Sequence, residues 1–457
     1  MIVTLRDGTR LDVEDRAIGQ GGMGTGYLTK DGQKFVKLFH QPTPALEHAL
    51  SLILSRYNCT LDPYHRERES WWQTLYLWPQ AMITAPRLGL ITDRLPLNVK
   101  NLLYLFGPRS YARLPADSKR WNARVMMAWR LTQAVARMHQ LGVAHADLSP
   151  NNVLGDPLTG QVRIIDIDSL VVPGALRPLV AGTPGYMAPE ILGQHTAPDI
   201  TTDRHALAVL LYQLLLYAHP LRGPHTYDLD PFEATAIEQQ QLGEQGIYIA
   251  HPTDKRNRPT VGYFEPGMLG PRLHELFLRT FVEGLRRPER RPLAVEWKLA
   301  LGHLFDRLVV CQNPACDERY FPVREHEPPV CPWCETLLVL PHGLPVLRLY
   351  EPGREGLVIL PDFWVVAWPG RTLHGWHAQR GAEPDVFAEQ APVGLLEAEG
   401  ENFLLINEGL PALALLDAQG RVQESIPIGR ELLLKEGQIL RLGNPPETRF
   451  ALVQWMR

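Results

Sequence analysis

Two neighbouring segments constrain this chain most: Val143-Ala-His-Ala-Asp-Leu-Ser-Pro-Asn-Asn-Val-Leu154 and Val162-Arg-Ile-Ile-Asp-Ile-Asp168. Branched aliphatic residues bracket a polar run, so the pattern reads as a loop held between short strands, with Asp147, Asn152 and Asp166 within about twenty residues of one another. Phosphoryl transfer needs a carboxylate to orient the attacking hydroxyl and two hard oxygen ligands to hold magnesium. This stretch can supply all three, which implies a site for a nucleoside triphosphate.

Further motifs follow in order. Ile18-Gly-Gln-Gly-Gly-Met-Gly24 fits G-x-G-x-x-G, in which Gly19, Gly21 and Gly24 let the backbone approach phosphates, and Phe35-Val-Lys-Leu38 reads as a strand carrying Lys37. Downstream lie Gly182-Thr-Pro-Gly-Tyr-Met-Ala-Pro-Glu190, then Asp203 opening an apolar helix from Ala206 to Ala218, then Arg291 in Pro288-Glu-Arg-Arg-Pro292. The glycine triplet alone is a weak signal; five motifs in this order are a strong one. Across about residues 14 to 303 the chain resembles the eukaryotic-type (Hanks-type) protein kinases. The resemblance implies an α+β, two-lobed kinase fold using ATP and magnesium, with Asp147 as catalytic base and Asn152 and Asp166 as magnesium ligands. It also implies that Lys37 contacts the phosphates, Thr183 bonds Asp147, Asp203 anchors the catalytic loop, and Arg291 pairs with Glu190. Asp93 lies in the expected hinge beside the adenine, Ile91-Thr-Asp-Arg-Leu-Pro96. A helix glutamate should pair with Lys37: Glu69 in Arg66-Glu-Arg-Glu-Ser-Trp-Trp, or alternatively Glu47 in Pro44-Ala-Leu-Glu-His. The plainer reading puts either glutamate on a solvated helix face. Trp121 to Leu141 reads as a long amphipathic helix leading into the catalytic loop.

Four departures from the family pattern bear on function. Ala146 stands where many regulated protein kinases carry Arg, so a phosphorylated activation loop would find no partner there. Ser149 replaces a Lys that contacts the transferred phosphate, which removes a positive charge from the transition state. Asp168 replaces the Gly of Asp-Phe-Gly, which implies a magnesium loop held in one state or an additional metal ligand. Gly26 stands where a Val usually covers the adenine, a loss that Tyr27 is expected to offset. A similar His-x-Asp-Leu-x-x-x-Asn loop occurs in small-molecule kinases of the aminoglycoside and choline type. Those families lack the Gly182 to Glu190 segment with its Arg291, so a Ser/Thr protein substrate is favoured.

With 457 residues, more than one domain is expected, and a formal charge of -4 gives no basic field for nucleic acid. The N-terminus has no secretory signal layout, and the apolar stretch Ala206 to Ala218 is shorter than the ~20 residues of a membrane span, so a soluble, cytoplasmic protein is expected. Four of the five cysteines cluster as Cys311-x4-Cys316 and Cys331-x2-Cys334, two thiolate pairs suited to one structural, tetrahedral zinc. Free thiols or two local disulfides are the alternatives. Cys59, in what reads as a polar loop, is a bystander.

After Pro341, short β-rich runs alternate with Gly, Pro and Asn turns, the pattern of an all-β sandwich. The expected domains are residues 1–305 (kinase), 306–342 (zinc ribbon) and 343–457 (sandwich). Ile426 to Gly443 resembles the late strands of forkhead-associated domains, which recognise phosphothreonine, with Asn407, Gly370 and Arg371 at matching positions and the remaining phosphate-reading set incomplete. The three-part arrangement is similar to bacterial kinases of tellurite-resistance-associated triads. That resemblance implies a von Willebrand factor A-type protein and a metal-dependent Ser/Thr phosphatase as partners. Two readings stand: an active Ser/Thr protein kinase, and a pseudokinase scaffold that binds nucleotide and partner proteins.

Overall fold

Period-two alternation in the first hundred or so residues builds a seven-stranded antiparallel sheet from β1 (Ile2–Leu5), β2 (Arg10–Asp12), β3 (Gly19–Gln20), β4 (Gly24–Leu28), β5 (Lys34–Phe39), β6 (Ala81–Ala85) and β7 (Gly89–Asp93). Their spatial order is β2-β1-β6-β7-β5-β4-β3. On β5, Val36 and Leu38 join Val3, Val13, Ile83 and Ile91 in a core on one face. Phe35, Lys37 and Phe39 therefore take the other face. There Phe39 and Leu90 pack with Leu46 and Leu50 of the helix Pro44–Leu54, which Thr43 caps by accepting from Leu46 N. The computed structural model describes residues 1–95, 99–106, 120–178, 182–193, 196–224, 242–243, 245–260, 262–354, 356–387 and 391–456.

The sheet belongs to one of two units, made of Met1–Arg113, Arg130–Val261 and Leu278–Ala294. A smaller sheet in this unit, ordered β10-β9-β8, joins β8 (Lys100–Asn101), β9 (Val153–Gly155) and β10 (Val162–Ile164), so the polar run of the first motif ends in a strand as its pattern implies. The helix Ile200–Leu216 starts at a capping box, in which Asp199 accepts from Thr202 N and Thr202 Oγ1 is bonded back to the Asp199 backbone. The helix Trp121–Gln140 differs from expectation. It is buried nearly all round, with Trp121, Val125, Met127, Trp129, Leu131, Ala134 and Met138 fully inaccessible. Its Arg130 and Arg137 are tied down: Arg130 donates to Thr159 O, and Arg137 donates to Leu61 O and pairs with Asp62.

The second unit comprises Leu114–Trp129, Gly262–Phe277 and Val295–Arg457. It contains a hairpin of β11 (Leu308–Val310) and β12 (Tyr320–Pro322) and two antiparallel sheets. One sheet, ordered β14-β13-β22-β21-β18-β19, uses β13 (Leu344–Gly353), β14 (Gly356–Val366), β18 (Ala414–Leu416), β19 (Val422–Ser425), β21 (Ile439–Arg441) and β22 (Phe450–Met456). The other, ordered β15-β16-β17-β20, uses β15 (Arg371–His374), β16 (Pro392–Glu399), β17 (Asn402–Asn407) and β20 (Glu431–Leu433). Phe403 of β17 meets Trp455 of β22 with ring centroids 5.7 Å apart, joining the sheets. Most of the helix Ala294–Phe305 groups with this unit rather than ending the first: Phe305 lies 5.8 Å from Trp129, which in turn edges Trp376 at 6.0 Å.

Candidate active site and thiol cluster

The loop after the helix Trp121–Gln140 is held by one carboxylate. Asp203 accepts from His145 N at 2.6 Å and from Ala146 N at 3.0 Å, while the His145 ring donates to Ile165 O at 2.9 Å. Pinned in this way, Ala146 takes a left-handed φ of 69°, and Asp166 one of 62°. Backbone held against its preference is a mark of sites where surrounding bonds over-determine side-chain placement. The carboxylate so positioned is Asp147: Thr183 Oγ1 donates to its Oδ1 at 2.6 Å, and Asn152 Nδ2 donates to its Oδ2 at 2.9 Å. Asn152 thus spends its amide nitrogen on the loop and presents its carbonyl oxygen elsewhere. Ser149 is fully buried, and its hydroxyl has no partner among the described residues.

Lys37 Nζ lies 2.7 Å from Asp166 Oδ1 and 2.8 Å from Asp168 Oδ2. Burial works to lower the lysine's pKa, but the charges of Asp168 and Asp166 outweigh it, and the ammonium is held above its ordinary value. Burial also acts on the acids: it pushes Asp168 up to about 6 with Asp166 adding to the effect, whereas at Asp166 the attraction of Lys37 overcomes it and the pKa falls. The expected pairing of Lys37 with a helix glutamate is not formed. Glu69 Oε1 accepts from Asp62 N at 3.1 Å, and Glu47 sits exposed in the first turn of its helix. The physical reason is the residue at 168. Glycine there would offer no carboxylate; Asp168, only 4% exposed, needs a cation and takes the lysine.

The glycine triplet forms the β3–β4 turn, where Gly21 N donates to Gly24 O at 3.0 Å. A Cβ on Gly19 or Gly21 would meet only open space, whereas one on Gly24 would lie 2.7 Å from Leu38 O, so Gly24 alone is required by close backbone approach. Tyr27 does not offset Gly26: it packs against the Val3, Val13 and Val36 core on the opposite face of the sheet. Asp93 ends β7 in a surface ion pair with Lys34 at 2.7 Å, and Pro96 of the expected hinge lies outside the described residues. Glu190 receives Arg291 through two bonds of 2.6 and 2.8 Å, with the guanidinium also donating to Thr201 O and Gly284 O. This pairing is the one the motifs imply.

Hard oxygen donors on Asp166 and Asn152, with an ammonium beside them and an open glycine turn, fit magnesium and a polyphosphate. In the second unit, the Sγ atoms of Cys311, Cys316, Cys331 and Cys334 all lie within 4.8 Å of one another. Tetrahedral zinc with bonds of about 2.3 Å sets sulfurs about 3.8 Å apart; Cys311–Cys334 and Cys316–Cys331 measure 3.5 and 3.8 Å. The donor set is compatible with zinc, and none of the four is in a disulfide. Burial raises Cys331, while at Cys334 hydrogen bonding with Thr336 overcomes burial and brings the thiol down to about 6. Cys59, expected in a polar loop, is fully buried, and burial pushes it up to about 12, which suits an inert thiol.

The forkhead-associated-like residues are used differently. The Arg371 guanidinium donates to the carbonyls of Phe305 and Leu308 and lies over the Phe305 ring. Asn407 is fully buried, with its amide donating to Leu410 O and Ile426 O and its oxygen accepting from Leu410 N. Both side chains brace the backbone.

Comparison with known proteins agrees with the cleft geometry. A family model of the protein kinase domain matches residues 115–258. The chain is 34% identical over 227 residues to beta-adrenergic receptor kinase 1 of Mus musculus, covering 47% of this chain and 30% of that protein. It is 30% identical over 157 residues to calcium-dependent protein kinase 9 of Oryza sativa subsp. japonica, covering 31% and 26%. To serine/threonine-protein kinase PknD of Chlamydia felis it is 32% identical over 118 residues, covering 21% and 12%. The chain therefore spans less than a third of the length of each of these relatives. A protein kinase domain is present, and among the described residues no helix is long and apolar enough to cross a membrane.

Proposed function

We propose that this chain is an ATP- and magnesium-dependent Ser/Thr protein kinase. The observation that carries the reading is the convergence of Thr183 and Asn152 on Asp147, together with the meeting of Lys37 with Asp166 and Asp168. In this reading Asp147 accepts a hydrogen bond from the substrate hydroxyl, orients it and takes its proton as the phosphoryl group transfers. Thr183 fixes the carboxylate's rotamer and shapes the shelf on which the peptide lies. Lys37 binds the phosphates, and Asp168 holds the lysine in place of a helix glutamate. Asn152 and Asp166 would hold magnesium, which would supply positive charge against the phosphate oxygens. With Ser149 in place of a lysine, one cation fewer faces the transferred group, so a modest rate is expected.

Residues 1–305 carry the reaction in this reading, 306–342 a structural zinc ribbon and 343–457 a β-sandwich. Because Ala146 offers no guanidinium to a phosphate, the enzyme is active without activation-loop phosphorylation, and control comes through partners of the C-terminal region. A von Willebrand factor A-type protein and a metal-dependent Ser/Thr phosphatase in a bacterial stress-resistance system are the partners this reading names, with a cytoplasmic location. The test is transfer of radiolabel from ATP to protein, by wild type and Asp147→Asn. Transfer by wild type alone supports the kinase; equal, background-level labelling leaves the nucleotide-binding scaffold.

A further inference from the structure

Strand β14 is the outer strand of the six-stranded sheet, and its two halves are finished differently. Past Leu360 it is tied to its surroundings: Arg272 donates to Pro361 O at 2.7 Å and pairs with Asp362 at 3.5 Å, and Val366 N donates to Asp306 O. The strand bulges there, with Asp362 at a left-handed φ of 55°. From Gly356 to Ile359 every residue is exposed, and Leu357, Val358 and Ile359 keep 46%, 55% and 43% of their surface open. Consecutive apolar residues open to water on a sheet edge are what proteins avoid with charge, proline or a covering element. The opposite edge of the same sheet, β19, carries Gln423 and Glu424.

The register says which backbone groups of this edge are free. Pro352 faces Leu357 and has no N–H to give, so that pair is the non-hydrogen-bonded kind; Glu351 with Val358 is then the bonded kind, and Tyr350 with Ile359 again the other. Leu357 and Ile359 thus turn N–H and C=O away from β13 into the open edge. We propose that this edge is a dimer interface, filled by the same strand of a second copy running antiparallel about a twofold axis at Val358. In that pairing Leu357 exchanges both backbone bonds with Ile359 of the second copy, and the axis repeats the exchange. Val358 meets its own copy as a close, non-bonded pair of β-branched side chains. Charge fits as well. Arg354, exposed, and Asp362, 31% exposed, lie four residues before and four after Val358, so the axis sets each arginine at the end where the second copy carries its aspartate. No charged residue stands between Gly356 and Pro361 to oppose its copy. Another protein would have to supply an uncharged strand with an acid and a base placed to match; a second copy does so by symmetry.

Sedimentation velocity of full-length protein over a concentration series tests this, with thermal melting of each variant alongside. Wild type is expected to pass reversibly from monomer to dimer. Val358→Lys sets two ammonium groups against each other at the axis and should weaken association at least about tenfold. Its melting should match wild type, since the side chain it replaces is more than half exposed. Ile359→Pro removes an N–H that points into the open edge and should also give monomer, whereas Ile359→Val, which keeps that N–H, should dimerise as wild type does. Arg354→Glu should weaken the dimer by less than Val358→Lys, and its deficit should shrink as salt is raised. If the proline variant melts early, Val358→Lys carries the test alone. Wild type that stays monomeric up to about 100 μM, or a dimer that survives Val358→Lys, overturns the proposal.

Discussion

Lys37 and Arg371 are both cations that family resemblance marks as phosphate readers, and the two units treat them in opposite ways. Lys37 sits between two carboxylates with its side chain 20% exposed, a charge held in place yet able to exchange partners. Arg371 donates to the carbonyls of Phe305 and Leu308 and rests on the Phe305 ring, so its donors are spent on the backbone. A phosphate could draw Lys37 from Asp166 at little cost, because magnesium would take that acid over while Asp168 keeps hold of the lysine. Drawing Arg371 out would leave two carbonyls unsatisfied and strip the Phe305 face. A matching residue type is therefore weak support for function until its donors are counted.

The comparison breaks most sharply at the base. Asp147→Asn should lower phosphoryl transfer roughly 10²- to 10⁴-fold with melting temperature little changed, since the Asn oxygen can accept from Asn152 while its NH2 donates to the Thr183 hydroxyl. Asp166→Asn should remove activity as well and also weaken magnesium-dependent nucleotide binding, which Asp147→Asn should spare. Label transfer and nucleotide titration on the same samples check both; wild-type rates in either variant would take the catalytic role away from the cleft.

The thiol cluster sharpens the contrast from the other unit. One zinc per chain is expected, and Cys331→Ser should lose it and lower the melting transition of the second unit, whose core includes Cys311, Cys316 and Cys331 beside Val346 and Trp364. Nucleotide affinity should stay at the wild-type value. Metal analysis of protein purified without chelator, with calorimetric melting, is the measurement; absence of metal would make the four thiols a packing feature.

Asp168 and Glu69 compete for the same role, so substituting each in turn decides it. Loss of charge-assisted hydrogen bonds worth about 1.5–3 kcal/mol predicts a fall of roughly 10- to 100-fold in kcat/KM for Asp168→Asn. Glu69→Gln and Glu47→Gln should each change it less than about twofold. Stability should move the other way. Burial already pushes Asp168 up to about 6, so a neutral amide should melt no lower than wild type. Steady-state kinetics on the three variants measures this, and equal losses in Asp168→Asn and Glu69→Gln would restore a helix glutamate to the lysine.

How much of this was legible in the sequence follows from how each contact is encoded. Asp203 under the catalytic loop, Thr183 on Asp147 and Glu190 with Arg291 could be placed because each sits in a motif of several residues that serve one geometry. The lysine's partner could not, because Asp168 was read as a glycine substitution and a possible metal ligand, and nothing in a linear pattern says which cation a buried carboxylate will find. Tyr27 was misplaced although strand alternation alone puts it opposite Gly26, and the neighbour that fills the space a side chain at Gly26 would need, Phe35, lies on another strand. Cys59 was read as part of a polar loop, yet it is buried, with Arg137 reaching over to its carbonyl. The boundary expected at residue 305 follows motif order, whereas contacts join Phe305 to Trp129 on an earlier helix.

The smallest effect belongs to Arg371. If its role is to brace the backbone, then Arg371→Lys, which keeps the charge but cannot span two carbonyls or stack on Phe305, should cost about 1–2 kcal/mol of stability in the second unit. If it reads phosphate, the same change should instead weaken a phosphothreonine peptide and leave melting untouched. The two outcomes are separable because lysine still attracts phosphate and cannot replace a planar fork. We expect the melting shift, and no saturable binding of phosphothreonine peptides by wild type or variant. A peptide affinity that falls in Arg371→Lys at constant melting temperature would place this arginine beside Lys37 as a phosphate reader.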